Sequence, residues 1–220
     1  MYIETEKLNT DPETSQKSKV YGYAVRISLI AALGGFLFGF ETAVISGAEK
    51  TIQQLWNLSS GWQGFTVASS LIGTVIGSIV AGVPAQRYGR KKVLTVIAIL
   101  YLLSAIGCAL TPVWVLFVTF RFIGGLAVGA SSVVGPMYIS EVAPAKIRGR
   151  LAGSFQLMIV GGIFIAYLTN FFFADFGDTG WRWMLGIMIV PAALFAILLR
   201  FIPESPRWLV LNDRDDADTR

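Results

Sequence analysis

The sequence contains no histidine and only one cysteine, Cys108. Without histidine, the chain lacks the commonest metal ligand and the side chain that most often changes charge near neutral pH. A single cysteine excludes an intrachain disulfide. Charged residues make up only 15% of the 220 positions, whereas 54% are hydrophobic. This balance excludes an ordinary soluble domain and indicates a membrane protein that crosses the bilayer several times.

The chain also lacks the residue groups on which enzymes depend. The sequence contains no metal-ligand cluster, no nucleophile paired with a base and no phosphate-binding loop. We therefore predict no catalytic residue, no metal site, no cofactor and no enzymatic activity. The formal net charge is +4, but the basic residues are spread between apolar runs, so the charge does not predict a nucleic-acid partner.

Apolar runs are the main feature that the sequence does have. Six of them are long enough for a spanning helix, which needs about 20 mostly apolar residues, and they predict an all-α protein embedded in the lipid bilayer. The predicted bundle covers residues 21–202, between a cytoplasmic tail at 1–20 and a segment at 203–220 that follows the last apolar run. The spans are predicted at residues 23–44, 62–83, 93–112, 113–138, 151–173 and 183–202.

The basic residues predict how the bundle is oriented. They cluster in alternate connections, and loops rich in Lys and Arg stay on the cytoplasmic side. Both termini are therefore expected in the cytoplasm of a multi-pass protein of the cell membrane, most simply a bacterial inner membrane. The cytoplasmic bases are Lys17, Lys19, Arg26, Arg87, Arg90, Lys91, Lys92, Lys146, Arg148, Arg150 and Arg207, against only Lys50 and Arg182 outside.

The spans also repeat along the chain. Adding 90 to the starts of the first three spans gives approximately the starts of the last three, and the glycines at 34, 35 and 39 recur at 124, 125 and 129. Three helices followed by three more have opposite orientations in the membrane, which is the pattern of an inverted repeat. Glycine spacing of this kind also serves helix packing in general, but together with the common offset it favours a 3+3 duplication.

Two charged residues, Glu41 and Arg121, lie well inside apolar spans. If the first span reaches the outer face near Ala48 and the fourth begins near Pro112, the two lie at similar depths, roughly 10 and 13 Å. Each costs about 2.5–3.5 kcal/mol to place at a helix centre. An ion pair or a water-filled cavity would offset that cost. The sequence alone leaves two interpretations, a static pair that locks two helices and a functional pair.

Several motifs resemble a known family. The segment "GVPAQRYGRKK" at 82–92 is similar to the loop motif of the major facilitator superfamily, except that Gln86 stands where most members have an acid. The segments "GGFLFGFETAVISGA", "RFIGGLAVGASSVVGPMYISEVAPAKIRGR", "GWRWML" and "PESPRWL" resemble the sugar porter family within it, in particular bacterial sugar–proton symporters. The resemblance implies the N-terminal half of a twelve-helix fold, whose partner is a C-terminal six-helix half. Residues 203–220 would then be the start of the central cytoplasmic loop between the two halves.

The resemblance also implies roles for particular residues. Glu41 matches the position of a proton carrier and Arg121 that of the arginine that tunes it. Gln156 and Phe38 match residues of the sugar cavity, and Ile163 stands where some relatives have a second glutamine. Charged residues facing the cytoplasm would form pairs between helices that close that side; this cytoplasmic gate comprises Arg87, Gly89, Arg90, Lys91, Glu141, Arg148, Glu204 and Arg207.

These features imply uptake of a monosaccharide, either a hexose or a pentose. The uptake would be coupled to a proton and would proceed by alternating access. A passive sugar facilitator with a purely structural ion pair is the first alternative. A membrane protein that senses sugar or scaffolds a partner without transporting it is the second. Sugar accumulation against a gradient, abolished by an uncoupler, would separate proton-coupled uptake from both alternatives.

Overall fold

The structure is a computed structural model that describes the backbone of residues 12–212 and the side chains of residues 20–212. Within this part of the chain every regular element is helical. The α-helices are α1 (Pro12–Leu55), α2 (Ser60–Val80), α3 (Gly82–Tyr88), α4 (Arg90–Leu110), α5 (Trp114–Val142), α6 (Arg148–Phe173), α7 (Gly180–Gly186), α8 (Ile189–Leu198) and α9 (Pro206–Leu211).

Six helical segments are long and apolar enough to cross a membrane, which confirms the predicted all-α fold. Five of them belong to α1, α2, α4, α5 and α6. The sixth, Gly177–Phe201, is composite: α7 and α8 follow each other between two short 3₁₀ helices, Gly177–Thr179 and Leu199–Phe201. The short helices α3 and α9 lie in the connections at one end of the bundle.

Two spans differ from the sequence prediction. The helix α1 continues for 44 residues, so the segment 12–20 predicted as a tail is helical, while residues 1–11 lie outside the described part. The sixth span begins earlier than 183 and is interrupted after Gly186. The interruption precedes Pro191, which has no N–H to bond the carbonyl of Ile187. The N–H of Val190 donates to that carbonyl instead, at 3.1 Å.

Glycines bring two pairs of helices into backbone contact, and the two contacts are equivalent. In the α1–α6 pair, a Cβ on Gly39 would collide with the carbonyl of Ile159, and in the α2–α5 pair a Cβ on Gly129 would collide with the carbonyl of Thr74. The partners of each contact are related by offsets of 90 residues from α1 to α5 and 85 from α2 to α6. The predicted inverted repeat is therefore present in the packing.

The two ends of the bundle have different chemistry. The end that holds α3, α9 and the connection between α5 and α6, here called the basic end, carries Arg87, Arg90, Lys91 and Arg148. At the opposite end, Trp56, Phe117 and Trp181 pack together with ring centroids 5.3 to 6.1 Å apart. The candidate site lies between these ends, where α1, α4 and α5 meet.

Candidate functional site

Glu41 of α1 and Arg121 of α5 form an ion pair in the interior of the bundle. Nη1 of Arg121 lies 2.5 Å from Oε1 of Glu41 and also donates to the backbone carbonyl of Glu41 at 3.3 Å. The side chains are only 2% and 4% exposed. Two charges removed from water at membrane depth stabilise one another only while they remain in contact, because either one alone would be buried without compensation.

Gly124 makes this approach possible. It lies one turn after Arg121 on α5, and a Cβ in its place would contact Oγ of Ser104 and would lie only 2.8 Å from Oε1 of Glu41. A larger residue would push the carboxylate away from Arg121. The missing Cβ therefore leaves one small gap that both the Glu41 carboxylate and the Ser104 hydroxyl border.

Three buried hydroxyl groups lie where α4 and α5 pack together, one of them next to the ion pair, and sequence reasoning did not identify them. Tyr101, Ser104 and Ser131 are each fully buried, and none of their hydroxyl oxygens has a hydrogen-bond partner among the described residues. Nε of Arg121 is also without a partner there. The available signal was weak, since Tyr101 and Ser104 are the kind of isolated polar residues that most spanning helices contain.

The residues predicted to bind sugar lie along the contact between α1 and α6. Phe38 is half-buried and packs against the core. Gln156 follows Phe155, whose carbonyl approaches Gly35 of α1. The Gln156 side chain itself is exposed. An exposed amide in an apolar span has both its donor and its acceptor free for a neutral polar ligand or for another helix.

At the basic end, Arg90 and Glu141 form a second buried ion pair. Nη2 of Arg90 lies 2.8 Å from Oε1 of Glu141, with the side chains 7% and 4% exposed. Arg90 also donates to the carbonyl of Ala85 at 3.2 Å, and the hydroxyl of Ser205 donates to the other carboxylate oxygen of Glu141. This network ties together α4, α5 and the segment before α9.

Glu204 joins the same end of the bundle through backbone groups. Its carboxylate accepts from the N–H of Lys91 at 3.0 and 3.2 Å and from the N–H of Ser205 at 2.9 Å. Gly89 has a φ of +100°, and a Cβ there would collide with the Glu204 carboxylate. Glycine is thus required for two reasons. Residues with a side chain rarely adopt this backbone conformation, and a Cβ would collide with Glu204.

Three of the predicted gate residues lie outside these contacts. Arg87, Arg148 and Arg207 are exposed, and none forms an ion pair with an acid in the part of the chain that the structure describes. The Arg87 guanidinium lies 5.5 Å from the centre of the Tyr88 ring. Arg207 lines a cavity of about 450 Å³ together with Arg90 and Glu141. Glu141 thus pairs with Arg90 of another helix, and Arg148 takes no part in that pair.

Comparison with known proteins identifies the family to which this chain belongs. The family model described as "Sugar (and other) transporter" matches residues 27–220. The chain is 45% identical over 191 residues to the D-xylose transporter of Levilactobacillus brevis, covering 86% of this chain and 41% of that protein. It is 39% identical to the D-xylose-proton symporter of Escherichia coli (strain K12), covering 88% and 46%. The chain spans less than half the length of these relatives.

Solved structures give the same result. The xylose transporter XylE of E. coli, in a partially occluded inward-open conformation, superposes with a TM-score of 0.82 at 39% identity over 87% of this chain and 53% of that one. These relatives are transporters and not enzymes, as the sequence predicted. The chain belongs to the sugar transporter family, with the fold of the N-terminal half of a major facilitator superfamily protein.

Proposed function

We propose that this chain forms the N-terminal half of a proton-coupled monosaccharide transporter, in which Glu41 carries the proton and Arg121 tunes the affinity of Glu41 for it. The single observation that carries the proposal is the buried Glu41–Arg121 pair between α1 and α5. The E. coli and L. brevis relatives are named for transport of D-xylose, and the E. coli protein also for proton symport; a pentose or a hexose is the substrate class proposed here.

A proton bound to Glu41 would cancel its charge and with it the attraction that joins α1 to α5 at this depth. Ion pairs inside membranes mark ion and proton pathways more often than they serve stability alone. Because Arg121 would then be buried without its partner, the protonated state favours a rearrangement of the two helices. Protonation and helix movement are thereby linked, as alternating access requires.

The basic end would face the cytoplasm, because most bases outside the membrane interior lie there. The Arg90–Glu141 pair and the contact of Glu204 with the Lys91 N–H would hold that side closed in one of the two states. Arg87, Arg148 and Arg207 would act there only as exposed positive charges. Gly89 would contribute the turn that places the Glu204 carboxylate.

Gln156 and Phe38 would line the sugar cavity on the face that this chain leaves open. In the most apolar 18-residue stretch of each helix, 72% of the residues of α1 are buried inside the bundle, but only 22% of those of α6. The uncovered face of α6 carries Gln156, so a second six-helix half packed against it would complete the cavity. An amide there binds neutral hydroxyl groups without introducing a charge that must lose its water.

The test is sugar transport by the protein expressed from its complete coding sequence, comparing wild type with Glu41→Gln. Glutamine keeps an oxygen that can accept from Arg121 but cannot carry a proton at neutral pH. We expect loss of uncoupler-sensitive accumulation with retained exchange of labelled sugar across the membrane. Glu49→Gln is the matched control, since Glu49 is an exposed acid about two turns further along the same helix.

The proposal fails if Glu41→Gln accumulates sugar against its gradient as well as wild type does. Wild-type flux without any accumulation would instead favour a passive facilitator in which the pair is structural. Sugar binding without flux by the complete protein would favour the sensing function.

A further inference from the structure

A row of hydroxyl groups leads from the ion pair toward the basic end. The first is Ser104, which shares with Glu41 the small gap beside Gly124. Three residues earlier on the same face of α4 comes Tyr101. Next to Tyr101 is Ser131 of α5, although the two hydroxyl groups do not form a hydrogen bond of standard geometry. Ser131 in turn lies against Gly34 of α1.

The row has a direction along the bundle. Gly34 precedes Glu41 by seven residues on α1, so the Ser131 hydroxyl lies about 10 Å nearer the basic end than the Glu41 carboxylate. Tyr101 likewise lies nearer that end than Ser104. The row thus begins at the pair and runs away from it on one side only.

These hydroxyl groups form no hydrogen bond of standard geometry with the described residues, although Ser104 also lies close to the thiol of Cys108. Buried polar groups normally have hydrogen-bond partners, and those without one are costly to keep. All three are fully buried and without a partner among the described residues. By contrast, the hydroxyl of the next serine, Ser132, donates to the carbonyl of Gly129 at 2.7 Å. A free hydroxyl can both accept and donate a proton, and buried water commonly bridges such groups.

Building on the proposed function, we propose that Ser104, Tyr101 and Ser131, with water between them, form the path by which Glu41 releases its proton toward the basic end. The O–H bond of the protonated Glu41 breaks as Ser104 Oγ or a bridging water accepts the proton. Each hydroxyl accepts one proton and passes its own to the next, and Ser131 passes its proton to water on the side of the basic end. Every hydroxyl therefore ends with one proton, as it began. Glu41 is left as a carboxylate that pairs again with Arg121.

Among the described residues, Arg121 of α5 is the charged side chain that contacts Glu41. Its Nε also lacks a partner among the described residues, so water at the start of the row has a donor to bond.

The path is tested with Tyr101→Phe, Ser104→Ala and Ser131→Ala in the protein expressed from its complete coding sequence. In vesicles we would measure sugar-driven proton uptake, its H₂O/D₂O rate ratio, and exchange of labelled sugar. Tyr101→Phe keeps the ring and removes only the oxygen. Ser132→Ala is the matched control, because it removes a neighbouring hydroxyl that bonds its own helix.

We expect each of the three variants to slow proton-coupled uptake about tenfold, less than the hundredfold or more that a positioned acid or base contributes, and to change the isotope ratio. Exchange of labelled sugar, which needs no net proton release, should be unchanged, and Ser132→Ala should behave as wild type. The path is refuted if all three variants match Ser132→Ala, or if uptake and exchange fall together.

The same experiment separates this proposal from the proposed function. If wild type itself shows no sugar-driven proton uptake, then the symport proposal has failed and the path with it. If wild type takes up protons and Glu41→Gln does not, while the three hydroxyl variants match wild type, only the path has failed.

Discussion

The two repeats of this bundle pack alike but differ in the residues that matter chemically. The contact of Gly162 on α6 with the Phe36 carbonyl reproduces that of Gly77 on α2 with the Leu126 carbonyl. The backbone geometry is therefore shared by both halves of the duplication. What the halves do not share is charge in the membrane interior.

The difference is visible position by position. The repeat equivalent of Glu41 is Ser131, and that of Arg121 is Ala31. Gly34 contacts Ser131 just as Gly124 contacts Glu41. Glycines thus determine the helix packing in both repeats. The ion pair, by contrast, has no counterpart at the equivalent positions. Packing and coupling are separable properties of this fold, and variants can be designed to change one without the other.

The largest effect is expected from breaking the pair. Glu41→Leu leaves Arg121 buried without a partner and should lower the free energy of unfolding by about 3–5 kcal/mol. The double variant with Arg121→Leu should regain most of that loss while remaining uncoupled. At the equivalent position, Ser131→Ala removes only a hydroxyl without a partner and should change the stability little. Denaturant titrations in detergent measure all three, and a double variant as unstable as Glu41→Leu would contradict this account.

The next effect tests whether the repeats are equivalent in packing. Gly162→Ala and Gly77→Ala both place a Cβ against a backbone carbonyl, and each should cost about 1–3 kcal/mol. The adjacent Gly161 has nothing within 4 Å of its Cβ position, so Gly161→Ala should be neutral or slightly stabilising. Thermal unfolding of the four proteins in one detergent would show this, and unequal costs at 77 and 162 would break the equivalence.

A comparable effect is expected at the basic end, where only some charges are paired. Glu141→Gln weakens the bonds from Arg90 and Ser205 and should cost about 1–3 kcal/mol, because hydrogen bonds to charged groups are involved. Arg148→Gln changes an exposed charge and should stay within about 0.5 kcal/mol of wild type. If the two variants are equally destabilised, the contact geometry at this end does not decide the energetics.

The smallest effect on folding is expected at Gln156. Its side chain is exposed, so Gln156→Ala should leave the unfolding temperature unchanged while lowering the apparent sugar affinity about tenfold, which corresponds to about 1.4 kcal/mol. Competition binding with several monosaccharides measures the affinity. Unchanged affinity for every sugar would remove Gln156 from the cavity.

Much of the fold could be predicted because it depends on local properties. Apolar runs, basic loops and the 90-residue offset can be read from the chain. The similar depths of Glu41 and Arg121 allowed either an ion pair or a water-filled cavity, and the structure contains the pair. The break in the sixth span was also readable in principle, since it precedes Pro191. The position of the break depends on which backbone carbonyl loses its hydrogen-bond donor. The pattern of apolar residues does not indicate which one.

Long-range partner choice was less predictable. The family resemblance implied pairs between helices among eight gate residues but not which acid joins which base, and in the structure Arg90, distant in sequence, pairs with Glu141. Isolated serines and tyrosines in apolar helices give no signal of their own, so the hydroxyl row beside Glu41 required the packing of α4 against α5. The exposure of each side chain and its contacts with other helices decide its partner. Neither property can be read from neighbouring residues in the sequence.

The measurement that tests the central claim most directly is the number of protons taken up per sugar, from the reversal potential of sugar flux in vesicles that contain the complete protein. The account predicts one proton per sugar for wild type and for Glu49→Gln, and none for Glu41→Gln with sugar exchange retained. A Glu41→Gln protein that still takes up one proton per sugar would show that coupling lies elsewhere and that the buried pair is structural.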